Sequence, residues 1–191
     1  TDPPYAGGGY DMVRCENGTF TIVTSNINGI YLYNIDSDGN VNWVQKVSTS
    51  QSISTLKPNI TNNGSYFIAG YYNDIQNKIY VIKTNSNASI AWSNIYYNTS
   101  NDIYNIKTIL TDQNNNLYVT GPMNSGGTFI YKINEAGFWI KSIKTSDYFG
   151  NSTINGNSIF TVGNKLTKID SSLNIVWARS LPRQSYQVMS T

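Results

Sequence analysis

The chain of 191 residues has no histidine and a single cysteine. Without imidazole there is no Ser–His–Asp triad, no Cys–His pair, no His-ligated metal and no histidine acid–base catalyst. The lone thiol, Cys15, cannot close an internal disulfide, and its place in a β-rich run makes it a small buried hydrophobe. Charge is scarce as well. Asp, Glu, Lys and Arg make up 13% of residues, net charge is +2 and no basic run occurs, so the electrostatic footprint of a nucleic-acid binder is missing. No stretch reaches the roughly 18 apolar residues of a membrane-spanning helix, and no membrane insertion is expected. Two of the five prolines stand in Thr1–Gly9, TDPPYAGGG, which reads as a linker. Its glycine run lacks the helix start and the lysine that a phosphate-cradling loop needs.

What the chain does have is a repeat. Asn114–Lys141 reads as a polar turn, a strand ending in Gly121, a loop, a second strand, a tight turn and a third strand. The strand Leu117-Tyr118-Val119-Thr120-Gly121 has counterparts at Tyr66–Gly70 and Ile159–Gly163, and a weaker one at Thr21–Ser25 with serine in the glycine place. Asn17-Gly18, Asn63-Gly64, Asn115-Asn116 and Asn155-Gly156 precede them, as expected of type I′ hairpin turns. The next strand recurs at Tyr31–Ile35, Tyr80–Thr84, Phe129–Ile133 and Lys165–Ile169, with a polar fourth position: Asn34, Lys83, Lys132 or Lys168. A third strand closes on Trp43, Trp92, Lys141 or Trp177, in steps of 49, 49 and 36, with Trp139 expected on the same strand face as Lys141. A first strand is expected at Asp11–Cys15, Leu56–Ile60, Ile106–Thr111 and Ser152–Asn155.

Four antiparallel strands repeated about every 40–50 residues describe an all-β chain built as β-propeller blades, which bury their faces only by stacking. The expected division is a linker over 1–9, blades over about 10–50, 51–100, 101–147 and 148–182, and over 183–191 the start of a further blade or a closing strand. Gln187-Val188-Met189 reads as a beginning, so the four blades are expected to be part of a larger propeller.

The run Asn115–Gly121 followed by Phe129–Asn134 resembles the SBBP family of bacterial β-propeller repeats and, more loosely, PQQ-type repeats, over residues 10–182. Asp36–Trp43 is similar to the tryptophan-docking motif of the PQQ enzymes but is one residue shorter and lacks its lysine. The resemblance therefore implies a scaffold of surface or secreted proteins, and no cofactor.

Candidate site residues are few. Asp36-Ser37-Asp38-Gly39-Asn40 has oxygen ligands at alternate places, but the glycine and the distal glutamate of an EF-hand are absent, and turn chemistry accounts for it. Tyr72 and Asp74, and the Tyr/Asn/Ser-rich segment 96–104, suit protein or glycan contact, while most tyrosines at alternating positions are expected to pack between blades. Asp11 and Asp102 lie nearest strand starts, yet nothing in sequence brings them together as a glycosidase pair. Asp38, Asp74, Asp102, Asp112, Glu135 and Asp147 read as solvated turn acids. Glycosylation sequons occur at Asn17, Asn59, Asn63, Asn87, Asn98 and Asn151, a natural by-product of 27 asparagines. No catalytic, cofactor-binding or metal-ligating residue is assigned.

The expected function is a non-catalytic structural or interaction module of a secreted, cell-surface or virion-appendage protein, with protein partners from self-assembly or neighbouring subunits. A carbohydrate-binding or glycan-degrading propeller is the alternative, and a quinone-dependent oxidoreductase fragment a third reading.

Overall fold

A computed structural model describes residues 9–15, 17–26, 28–47, 53–72, 78–97 and 102–181. The expected linker up to residue 8, Asp74 and the 183–191 segment lie outside them, as does the side chain of Tyr72. The described residues form four four-stranded antiparallel meanders. Blade 1 holds β1 (Gly9–Arg14), β2 (Phe20–Asn26), β3 (Gly29–Ile35) and β4 (Val41–Val47). Blade 2 holds β5 (Ser54–Ile60), β6 (Tyr66–Tyr72), β7 (Lys78–Thr84) and β8 (Ile90–Tyr97). Blade 3 holds β9 (Thr108–Thr111), β10 (Leu117–Pro122), β11 (Thr128–Ile133) and β12 (Trp139–Thr145). Blade 4 holds β13 (Phe149–Asn155), β14 (Ser158–Gly163), β15 (Lys165–Asp170) and β16 (Ile175–Ser180). The inner strands neighbour one another in order, β1 on β5, β5 on β9 and β9 on β13. This is a β-propeller arrangement.

The core lies between blades because each central strand is apolar on both faces. Val23, Ile30 and Leu32 of blade 1 meet Leu56, Tyr66, Ile68 and Ile82 of blade 2. The opposite face of blade 2 sets Phe67, Ala69 and Val81 against Ile106, Leu117, Val119 and Phe129 of blade 3. Leu110, Tyr118 and Ile130 of blade 3 then meet Phe149, Ile159, Ile169 and Leu173 of blade 4. Each such side chain, fully buried, contributes about 1.5–3 kcal/mol, which is what a lone sheet lacks. As expected, Tyr66, Tyr71, Tyr80, Tyr118 and Tyr131 are buried, whereas Tyr97, Tyr104 and Tyr148 are exposed.

Three local expectations need correction. In blade 1 the strand equivalent to Leu117–Gly121 is Phe20–Thr24, one residue earlier than the alternation suggested. Asn34 pairs with Thr21 as Lys83 pairs with Phe67, Lys132 with Tyr118 and Lys168 with Phe160. Thr24, not Ser25, therefore takes the glycine place. In blades 2 to 4 that place must be glycine for room: a Cβ would run into Ile53 at Gly70, the Asn105 carbonyl at Gly121 and the Tyr148 carbonyl at Gly163. All three obstacles belong to the segment that leads into the blade's own inner strand.

The turns differ too. Gly18, Gly64 and Asn115 have positive φ whereas Asn63 and Asn116 do not, so these are not type I′. The N–H of Gly18 bonds to Cys15 O and that of Cys15 to Thr19 O, and Thr61–Ser65 and Asp112–Asn116 repeat the pattern. Each is a turn followed by one left-handed residue, the bulged three-residue hairpin. Asn155 pairs with Ser158, leaving a two-residue loop in which only Gly156 is left-handed.

Finally, every outer strand carries a bulge near its start. In blade 3 the pairing jumps from Lys132↔Lys141 to Ile133↔Trp139. The extra residue turns Trp139 onto the face of Ile133 and Tyr131, away from Lys141. Its ring sits 6.4 Å from that of Tyr131.

Candidate functional site

Pairing across β2–β3–β4 and its counterparts puts one row of three side chains on the face that each blade turns to the next: Thr21–Asn34–Trp43, Phe67–Lys83–Trp92, Tyr118–Lys132–Lys141 and Phe160–Lys168–Trp177. The facing element is the turn between the third and fourth strands of the following blade, β7–β8, β11–β12 or β15–β16. Between blades 2 and 3, Trp92 Nε1 donates to the Glu135 carbonyl at 3.0 Å, and the Tyr96 hydroxyl donates to the Gly137 carbonyl at 2.8 Å. The Lys83 ammonium lies 4.9 Å from the Phe67 ring centre and 3.9 Å from the Glu135 carboxylate. Burial pushes its pKa down, and Glu135 opposes that shift. Between blades 3 and 4, Lys132 Nζ donates to Ser171 O and Lys141 Nζ to Ser172 O, both at 2.7 Å. These are charge-assisted latches onto backbone carbonyls.

Between blades 1 and 2 the latch is missing. Thr21 stands in the aromatic place and Asn34 in the lysine place, both too short to reach the blade 2 turn. Asn34 instead bonds within its own blade, its Nδ2 donating to Thr19 Oγ1 at 2.9 Å and its Oδ1 accepting from Asn42 Nδ2 at 2.9 Å. Thr21 Oγ1 donates across the interface to the Tyr66 hydroxyl at 3.1 Å. Cys15 Sγ lies 3.4 Å from Thr21 Oγ1 and 3.6 Å from the Tyr66 oxygen, so the cysteine is buried as expected but belongs to a polar cluster. Burial pushes the Tyr66 phenol up to about 12.

Beside Asn34 lies a cleft of about 300 Å³, walled by Asn34, Trp43, Tyr66, Ser86 and Thr61 among others, and no charged residue stands among the described residues of its lining. Trp43 Nε1 and the Ser86 carbonyl, counterparts of the bonded Trp92 and Glu135, make no hydrogen bond to a described residue. Sequence reasoning did not single out these residues. The signal was present in the list Asn34, Lys83, Lys132, Lys168, whose first member alone lacks an ammonium.

The acids weighed from sequence do not converge. Asp11 pairs with Lys57 at 2.9 Å. Asp102 accepts from Ser125 N and Oγ at 2.7 and 2.6 Å, which lowers its pKa. Asp36 is occupied within its own turn, accepting from Asp38 N, Asn40 N and Asn40 Nδ2; the Asn40 side chain is the largest cause of its lowered pKa. Among the described residues no three Cys, Asp or Glu side chains cluster.

The second notable surface is the outer rim. Val41, Ile90, Trp139 and Ile175 open the four edge strands at equivalent positions and are 45–58% exposed, with Phe138, Ile140 and Val176 exposed beside them.

No family model and no curated protein sequence matches the chain. Solved structures do. BamB from Moraxella catarrhalis is 13% identical with a TM-score of 0.55, and the match covers 90% of this chain and 52% of that one. BBS1N, solved in complex with ARL6DN, is 11% identical with a TM-score of 0.58, covering 90% and 53%. Virginiamycin B lyase from Staphylococcus aureus is 16% identical with a TM-score of 0.52, covering 93% and 71%. The chain thus spans about half the length of the first two. Across scaffolds and a lyase alike, what this chain shares with them is the fold, a β-propeller.

Proposed function

We propose that this chain is a non-catalytic interaction module of a secreted, cell-surface or virion-appendage protein, and that its partners are proteins: further copies of itself or neighbouring subunits. The observation that carries the reading is the apolar rim. Four edge strands each present an exposed Val, Ile or Trp at the same position, on the outermost strand of each sheet. Lys46, Lys141, Lys144 and Arg179 lie further along three of these strands, but at the position that opens each edge strand an apolar side chain recurs. BBS1N, a fold neighbour, was solved with a protein partner, which is compatible with the reading. The test is the mass and shape of the native particle by light scattering and electron microscopy, repeated with Ile90→Ser, Trp139→Ser and Ile175→Ser combined. An assembly that the triple variant dissolves supports the module. A monomer that turns over a substrate overturns it.

A second reading is favoured by the cleft between blades 1 and 2, whose tryptophan wall and amide and hydroxyl lining suit carbohydrate. A glycan array with the intact protein tests it, and an array without signal removes it.

A further inference from the structure

We propose that the cleft between blades 1 and 2 binds a single saccharide ring, and that Asn34 and Thr21 create the site by standing where the other blades place a lysine and an aromatic ring. The inference rests on the carbohydrate reading above and gives it a location. Its volume of about 300 Å³ lies at the lower end of ligand pockets. No charged side chain stands among its described lining residues, so none of them offers a counter-ion to an entering ammonium or carboxylate, whereas a neutral polyol needs only the hydrogen-bond partners that the amide and hydroxyl groups supply.

The polar atoms are matched to a hydroxyl. In the next interface Trp92 Nε1 donates directly to the Glu135 carbonyl. Here the equivalent residues, Trp43 and Ser86, both line the cleft, and Trp43 Nε1 and the Ser86 carbonyl make no hydrogen bond to a described residue. A sugar hydroxyl accepts one bond and donates one, so it supplies what both need. The Trp43 indole, held edge-on to Tyr66 with ring centres 6.4 Å apart, offers an apolar wall to the C–H face of a pyranose. The floor is pre-ordered. Asn34 is fixed by Thr19, Thr21 and Asn42, and Thr21 by Tyr66, so binding orders little of the protein.

The test is saturation-transfer NMR on the intact chain with galactose, mannose and N-acetylglucosamine as probes and methylammonium as the charged control. Asn34→Lys fills the cleft with the lysine that blade 3 uses as a latch, and Trp43→Phe keeps an aromatic ring but deletes the donor. Saturation transfer to at least one sugar, abolished by Asn34→Lys and weakened by Trp43→Phe in folded protein, is the expected result. Transfer that survives both variants overturns the site while leaving carbohydrate binding by the chain intact. No transfer to any sugar, or binding of methylammonium alone, overturns the site and the carbohydrate reading together.

Discussion

Replacing Gly121 by alanine tests the packing logic of the blades most directly. Gly121 is in β10 with ordinary extended backbone, so alanine costs nothing in dihedral strain. Its Cβ, however, would overlap the Asn105 carbonyl and lie 2.9 Å from two ring carbons of Phe129. Neither neighbour can yield freely. Phe129 is fully buried, and the segment carrying Asn105 is pinned on both sides by Tyr104 N to Pro122 O and Lys107 N to Thr120 O, at 3.0 and 2.8 Å. Overpacking a core costs about 1–3 kcal/mol, and losing two backbone hydrogen bonds adds about 1 kcal/mol each. The expected destabilisation is about 3–5 kcal/mol, a large part of the 5–15 kcal/mol that holds a typical domain. The assay is equilibrium urea unfolding followed by tryptophan fluorescence, with the slope compared between proteins. Gly126→Ala is the control. Its φ of +88° is strained for alanine but nothing lies within 4 Å of the added carbon, so it costs about 1–2 kcal/mol. A Gly121→Ala loss under about 1 kcal/mol, or one smaller than the control's, would refute the reasoning.

Other predictions follow from the same interfaces. Lys132→Met deletes both the bond to Ser171 O and the ammonium's contact over the Tyr118 ring, and urea unfolding should show a loss of about 1–3 kcal/mol. Leu173 sits at φ 60° yet is 2% exposed in the core between blades 3 and 4. Leu173→Gly relieves about 1–2 kcal/mol of strain and forfeits about 2–5 kcal/mol of burial, so a net loss of about 1–3 kcal/mol is expected in thermal unfolding. Tyr66 has its pKa raised from 10.0 to about 12, so the folded chain holds a proton that the unfolded chain releases. Stability should fall as pH rises between those values, a limb of the unfolding-versus-pH curve that Tyr66→Phe should shrink. Asp36, Asp102 and Asp170 are lowered from 3.8, so their contribution is present above that value and is lost on acidification below it, a limb that Asp102→Asn should shrink.

Much of the architecture was legible because a propeller repeats its instructions. Three copies of an aromatic-rich strand ending in glycine, each after a polar turn, are enough to define strands, hairpins and blades. The failures share a cause: they lie where a backbone irregularity breaks strict alternation. Blade 1 has no glycine to anchor its register, so Phe20–Ser25 could be read one residue out, and only the Thr21–Asn34 pairing settles it. Trp139 was placed on the wrong face because a bulge is invisible in a pattern of period two. Asn-Gly signals a hairpin without stating its loop length, which is why the bulged turn was missed. The cleft was hidden for another reason. It is made by what Thr21 and Asn34 lack, and a deficit shows only against the side chains that fill the same place in the other blades.

The latches grip main-chain oxygen atoms: Glu135 O, Gly137 O, Ser171 O and Ser172 O. A carbonyl is supplied by every amino acid, so the side chains of Glu135, Ser171 and Ser172 are largely irrelevant to the grip, whereas Gly137 is held to glycine by a Cβ that would lie 2.7 Å from Asn94 Nδ2. The gripped turns are therefore free to drift in sequence while the blades stay joined, and Asn134–Phe138 and Asp170–Asn174 indeed share little beyond their first residue's type. Inheritance of the fold then needs memory chiefly on the gripping side, in the strands that carry lysine and tryptophan. A blade built this way is an interchangeable part: it can be duplicated or exchanged without its neighbour having to change.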